Sequence, residues 1–125
     1  MLSQRQTVVG ISPTPGGSQP LYASQYSAGA LNPQIVPATG KKAYLGQMVV
    51  TSASPIGQAF GVIFVSDGVW NLPFVFVETV SAGGCLNIIF KDALVATNPN
   101  VAITATMSSI GNGISVALDL FGWQV

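Results

Sequence analysis

Short apolar runs, separated by turn residues every 8 to 15 positions, constrain this chain more than any other feature of its sequence. The runs are rich in β-branched and aromatic residues, which favour strands, and none supports a long helix. In the last run, Ile114, Val116, Leu118 and Leu120 alternate with other residues, as expected of a strand with one buried face. The runs predict strands at 43–52, 59–66, 69–80, 85–90, 101–107 and 114–125.

Turn residues between the runs predict how the strands pair. Asp67-Gly68 suits a tight hairpin turn. The stretch FVFVETVSAGGCLNIIF (74–90) reads as a second hairpin, and Gly111-Asn112-Gly113 lies where a third is expected. Pro73 requires an edge strand or a bulge, because proline cannot donate to a ladder. We predict an all-β fold, an antiparallel β-sandwich of jelly-roll or related Greek-key type.

The first 40 residues have a different composition. They contain five of the eight prolines, which disfavour helices and central strands. The apolar clusters TVVGI (7–11), LYASQY (21–26) and LNPQIV (31–36) recur there, although a flexible linker would not need them. We predict an extended N-terminal arm at 1–40, docked on its own domain or on a neighbour, with a free disordered tail as the alternative, and a β-sandwich domain at 41–125. The predicted contact residues are Leu21, Tyr22, Tyr26, Leu31, Ile35 and Val36.

Charge is scarce. Charged residues make up 6% of the chain, against about 25% in ordinary soluble domains, and four cations balance four anions. Such a surface lacks the repulsion that keeps proteins apart. Lys41-Lys42 is the only basic cluster, so we expect no nucleic-acid partner. The apolar runs are too short for a membrane helix and no signal peptide is evident, which predicts cytoplasmic synthesis without a membrane partner.

Residues for catalysis or metal binding are few. Histidine is absent and Cys85 is the single cysteine, so we expect no catalytic residues, no metal site and no cofactor. Cys85 is expected to pack behind the second hairpin. Asp67 and Asp92 suit turns, whereas Glu78 and Asp119 fall in predicted strands. Core packing is the expected role of the strand aromatics, namely Trp70, Phe74, Phe76, Phe90, Phe121 and Trp123.

Three stretches carry a resemblance: YLGQMVVTSAS (44–54), LPFVFVETVSAGGCLNIIFKDALVAT (72–97) and VAITATMSSIGNGISVALDLFGW (101–123). Together they resemble small structural proteins of tailed-bacteriophage virions. The stretch GVIFVSDGVWN (61–71) departs from that pattern, which has a Tyr-Asp strand end. The resemblance implies a β-sandwich that coats, cements or decorates a capsid or forms part of a tail or fibre. It also implies homotrimers fastened by terminal arms.

The sequence therefore predicts a virion structural protein, most simply a capsid decoration or cement protein. Its partners would be the major capsid protein or other virion subunits and further copies of itself, and its location the virion. The alternative is a tail-fibre or spike module that binds a host-surface glycan. An enzyme acting on polysaccharide through two carboxylates ranks third.

Overall fold

The computed structural model describes residues 18–52, 59–78, 84–108 and 114–125. These residues form eight strands and no helix, and hence no helix long and apolar enough to cross a membrane. The strands are β1 (Gln19–Ser27), β2 (Gln34–Ile35), β3 (Ala43–Ser52), β4 (Ala59–Ser66), β5 (Asn71–Glu78), β6 (Gly84–Val95), β7 (Ile103–Met107) and β8 (Val116–Gln124).

Two four-stranded antiparallel sheets contain all eight strands. Sheet I has the order β1-β8-β3-β6 and sheet II the order β2-β7-β4-β5. The strands pair as β1 with β8, β2 with β7, β3 with β6, and β4 with β5, as in one long hairpin rolled into two layers. This arrangement of eight strands is the jelly roll. It confirms the predicted all-β sandwich.

The core lies between the two sheets. Ile114, Val116, Leu118 and Leu120 all point into it, as their alternation predicted. The largest fully buried side chains come from both sheets and from the segments just before β2 and β8; they are Leu31, Ile35, Leu45, Met48, Ile63, Phe76, Ile103, Met107, Ile114, Leu118 and Leu120. Phe74 and Phe90 pack against this core with their ring centroids 5.8 Å apart.

Strand positions and strand pairing both agree with the predictions in part, since β6 extends five residues beyond the predicted strand at 85–90, and β1 and β2 lie in the predicted arm. β3 and β4 have the predicted bounds, and β4 and β5 form the predicted hairpin, with Gly68 at a φ of 95°. Pro73 lies on β5, an edge strand of sheet II, as required. The predicted hairpin at 74–90 is wrong, because β5 belongs to sheet II and β6 to sheet I. The predicted hairpin of β7 and β8 is wrong for the same reason.

Residues 19–40 are built into the sandwich. β1 pairs along its whole length with β8, and β2 pairs with β7. Leu31 exchanges backbone hydrogen bonds of 2.8 and 2.9 Å with Met107, which seats its side chain in the core. β1 and β2 are therefore part of the sandwich, although they lie before the predicted domain boundary at residue 40. Residues 1–17 of the predicted arm lie outside the described residues.

Candidate assembly surface

The outer face of sheet I carries an unusual set of side chains. On β8, Leu118 and Leu120 are fully buried between the sheets, so Asp119 and Phe121 point away from the core. Trp123 continues the same side of the strand. Register then places Tyr22 of β1 beside Phe121, and Tyr44 of β3 beside Trp123. An outer sheet face is usually polar, whereas this one carries aromatic side chains on three adjacent strands.

The aromatic rings form two pairs across strands. Tyr22 and Phe121 lie with ring centroids 5.0 Å apart and planes tilted by 43°. Tyr44 and Trp123 are stacked, with centroids 5.8 Å apart and planes 7° from parallel. The buried Nε1–H of Trp123 has no hydrogen-bond acceptor among the described residues. We call these four residues the aromatic face. Cross-strand aromatic pairs stabilise a sheet by about 0.5–1.5 kcal/mol each.

A bulge in β3 sets the side on which these residues lie. Against β8, Leu45 pairs with Gly122 and Gln47 with Phe121, so Gly46 is an extra residue of β3. Against β6 the register also shifts here, but residues 90–93 of β6 lie opposite Gly46. Leu45 therefore points into the core, while Gln47 lies on the outer side opposite Phe121. The Gln47 amide donates a 3.1 Å hydrogen bond to Oδ1 of Asn87 on β6. This bond supplies a polar partner for a side chain that is only 3% exposed.

Two charged side chains flank the aromatic face. Lys42 extends β3 by one residue, since its N–H and C=O bond to Val125 at 3.0 and 3.1 Å. Ala43 is buried, so Lys42 points to the outer side with Tyr44. At the other end, Asp119 accepts a hydrogen bond of 3.4 Å from the Tyr22 hydroxyl. The face is thus apolar in its centre, with a cation at one end and an anion at the other.

The outer face of sheet II is also apolar in part. Phe64 of β4 lies between the buried Ile63 and Val65, and is 44% exposed. Its neighbours across the strands are Pro73 of β5 and Thr106 of β7. On β5, Val75 is 57% exposed beside the buried Phe76. Both outer faces of the sandwich therefore expose apolar side chains.

The six predicted contact residues have different environments. Tyr22, Tyr26 and Val36 are exposed, at 61%, 64% and 57%. Leu21 is half-buried against the core on the inner side of β1. Leu31 and Ile35 are each 1% exposed in the core of their own chain, so their side chains are not accessible to a partner. A partner contact of Tyr22, Tyr26 and Val36 stays a prediction.

Asp67 serves the backbone, as predicted, and lies apart from both outer faces. One oxygen accepts the N–H groups of Val69 and Trp70 at 2.8 and 3.0 Å, and the other accepts that of Thr97 at 2.6 Å. Burial raises the pKa of this carboxyl, but hydrogen bonds from Thr97, Trp70 and Val69 outweigh it and hold the pKa well below its ordinary value. Every oxygen is committed to structure, so Asp67 is a structural residue.

Three sequence predictions fail near the outer face of sheet I. Phe121 and Trp123 lie on the outer face rather than in the core, and Cys85 is exposed rather than packed. Asp92, expected in a turn, lies within β6. The alternation of β8 contained the signal for the two aromatics: if Leu118 and Leu120 point inward, Phe121 and Trp123 lie on the opposite side. Glu78 and Asp119 lie in strands as predicted.

No family model matches the chain, and no curated protein matches it. Among solved structures, it is similar to a chain of the cryo-EM structure of the giant freshwater prawn Macrobrachium rosenbergii extra small virus (XSV) VLP. The two are 12% identical with a TM-score of 0.36, and the match covers 90% of this chain and 84% of that one. A likeness this weak decides nothing about function, and the jelly-roll assignment rests on the strand order.

Proposed function

We propose that this chain is a structural protein of a virion. In the assembled particle, neighbouring subunits cover the outer faces of its two sheets. Jelly rolls occur in viral capsids, but also in lectins and cupins, so the fold alone does not select a function. The observation that carries the proposal is the exposure of apolar side chains on both outer faces of a chain with 6% charged residues.

The finer proposal is capsid decoration or cementing, as the resemblance to tailed-bacteriophage virion proteins implies. In that role the chain contacts the major capsid protein or other virion subunits, associates as a homotrimer, and resides in the virion. Residues 1–17, which contain the apolar cluster TVVGI, are the part of the predicted arm left to reach a neighbour. Fully extended, 17 residues span up to about 60 Å, which is long enough to cross an adjacent sandwich.

Association of the purified chain tests the general proposal. Apolar contacts are not screened by salt, so oligomers are expected to persist when the ionic strength is raised. The double variant Phe64→Ser, Val75→Ser removes the exposed apolar side chains of sheet II. We expect it to weaken association at least about tenfold, which corresponds to 1.4 kcal/mol, while thermal stability is kept. Thr106→Ser, beside Phe64, is the matched control.

Two results would contradict the proposal. One is a wild-type chain that stays monomeric at concentrations up to about 1 mM, the range of the weakest specific contacts. The other is association that is equally strong in the wild type, in the sheet II variant and in variants of the aromatic face. Decoration is tested separately, by adding the chain to particles of its virus that lack it: their resistance to heat should rise, and a chain without residues 1–17 should bind them less.

A second candidate function is glycan binding, which one observation favours. Tyr22 and Tyr26 are both more than half exposed on the same side of β1, and the Tyr22 hydroxyl donates to the carboxylate of Asp119. Exposed aromatic rings beside polar groups suit the apolar faces and hydroxyls of sugars. A signal from the isolated chain on a glycan array that Tyr22→Ser and Tyr26→Ser abolish would support this function.

A further inference from the structure

The charges around the aromatic face have a symmetrical arrangement. Asp119 lies in β8 and Val125 directly follows that strand, six residues further on, which is about 20 Å in extended chain. Lys42 lies beside Val125 on the adjacent strand, bonded to it through the backbone. The midpoint between the anion and the cation is therefore close to Gly122. Phe121 and Trp123 flank that midpoint on the outer side.

We propose that a second copy of this chain docks on the outer face of sheet I, related by a two-fold axis that runs across the strands at Gly122. The axis lies between sheet I of one copy and sheet I of the other, and the rotation reverses the strand direction. Lys42 of each copy then faces the partner's Asp119, and Phe121 of each copy faces the partner's Trp123. A contact of this kind is isologous, since the same patch contributes on both sides.

Self-complementarity is the reason to choose a second copy over an unrelated partner. In an isologous contact, a charged pair is favourable when a half-turn about the axis brings each of its members opposite the other. Lys42 and Asp119 form such a pair, because Lys42 lies beside Val125, three residues after Gly122, and Asp119 lies three residues before Gly122. The centre itself is apolar and can pack against its own copy. Two twisted sheets also pack well with their strands nearly aligned, at about 30°.

The dimensions of the face predict a modest affinity. Four strands spaced about 4.8 Å apart and seven residues of length cover roughly 400 Å² of plane in each copy. Over both copies this is about 800 Å², below the roughly 1,000 Å² of a stable specific interface, so the contact is a weak one. We therefore expect a dissociation constant between about 1 µM and 1 mM. The contact would join copies that belong to neighbouring assemblies, in keeping with the proposed structural role on which this inference rests.

Charge reversal tests the contact. Lys42→Glu and Asp119→Lys each place like charges opposite one another at both symmetry-related positions. Each variant alone is expected to dimerise about tenfold more weakly than the wild type. A mixture of the two variants restores both pairs: the acidic side chain introduced at position 42 of one copy faces the basic side chain introduced at position 119 of the other, and the remaining Asp119 faces the remaining Lys42. Sedimentation velocity of each variant alone and of the equimolar mixture gives the comparison.

Lys41→Glu is the matched control, because it makes the same charge change one residue earlier in the chain, at an exposed position. It should dimerise like the wild type. Mixing that brings no recovery, or association that is insensitive to both reversals, would overturn the two-fold contact. If association is unchanged by both charge reversals but is lost in the sheet II variant, the two-fold contact is contradicted and the proposed function is still supported. If the dimer depends on these charges but the chain is not incorporated into virus particles, the two-fold contact is supported and the virion role is contradicted.

Discussion

The carboxylate of Asp67 accepts a 2.6 Å hydrogen bond from the backbone N–H of Thr97, thirty residues further along the chain. Asp67 belongs to the turn between β4 and β5 in sheet II, whereas Thr97 follows β6 of sheet I. Next to this bond, the indole N–H of Trp70 donates to the carbonyl oxygen of Val95 at 3.0 Å. Two side chains of one turn therefore fasten one sheet to the other.

Asp67→Asn is expected to destabilise the fold by about 2–3 kcal/mol. The asparagine oxygen can still accept from Val69 and Trp70, but its NH₂ group would face the N–H of Thr97 and leave that donor unpaired. Urea unfolding gives the free energy. Asp92→Asn, at an exposed position, is the control and should change stability by less than about 0.5 kcal/mol. Equal stabilities of the two variants would refute this role of Asp67.

The same carboxylate predicts how stability depends on pH. Its pKa is lower in the folded chain than in the unfolded chain, where about 3.9 is ordinary. Its stabilising effect is therefore complete well above pH 4 and is lost as the pH falls towards the folded pKa. Between about pH 6 and pH 3, the stability difference between wild type and Asp67→Asn should shrink by about 1 kcal/mol. A difference that stays constant would contradict the lowered pKa.

Gly122→Ala should be among the most damaging single changes. A Cβ at this position would overlap the backbone carbonyl of Tyr44 and lie 3.1 Å from the Ile35 side chain. Backbone on the adjacent paired strand cannot move without breaking the ladder. We expect a loss of more than about 3 kcal/mol, beyond the range of most substitutions. In Gly29→Ala, the control, the Cβ would meet Ser27 Oγ at 3.5 Å, an ordinary contact, so thermal unfolding should change little.

The sequence located strands well because period-two alternation is a local property. The bounds of β3 and β4 and the inward side of β8 all follow from it. Pairing was predicted only where a two-residue turn decides it, as at Asp67-Gly68 between β4 and β5. Gly83-Gly84 also suits a turn, yet β5 and β6 lie in opposite sheets. A glycine-containing turn permits a hairpin but does not exclude a crossing from one layer to the other.

The candidate site was predicted less well than the fold. Tyr22 and Tyr26 were singled out for their residue type and do lie on the surface. Phe121 and Trp123 were assigned to the core because large aromatics are usually buried. Composition does not show which residue lies beside another on the adjacent strand. Only the register, which depends on contacts about 100 residues apart, sets Phe121 beside Tyr22.

Substitutions at Leu31 and Val36 separate effects on folding stability from effects on association. Leu31→Ala removes a side chain that is 1% exposed in the core, and should cost about 2–5 kcal/mol. Val36→Ala changes a residue that is 57% exposed, and should alter stability by less than about 0.5 kcal/mol. If Val36 contacts a partner, its variant should instead weaken association in sedimentation experiments. A destabilised Val36→Ala, or a tolerated Leu31→Ala, would contradict these placements.

Truncation separates the two parts of the predicted arm. Removing residues 1–17 leaves all eight described strands in place, so we expect cooperative unfolding near the wild-type midpoint. Removing residues 1–40 deletes β1 and β2 and takes Leu31 and Ile35 out of the core. At about 2–5 kcal/mol for each buried aliphatic side chain, this loss is comparable to the whole stability of a small domain. Circular dichroism should show that the longer truncation does not fold. If it folds with a cooperative transition, residues 19–40 are an attached arm and the sandwich begins at β3.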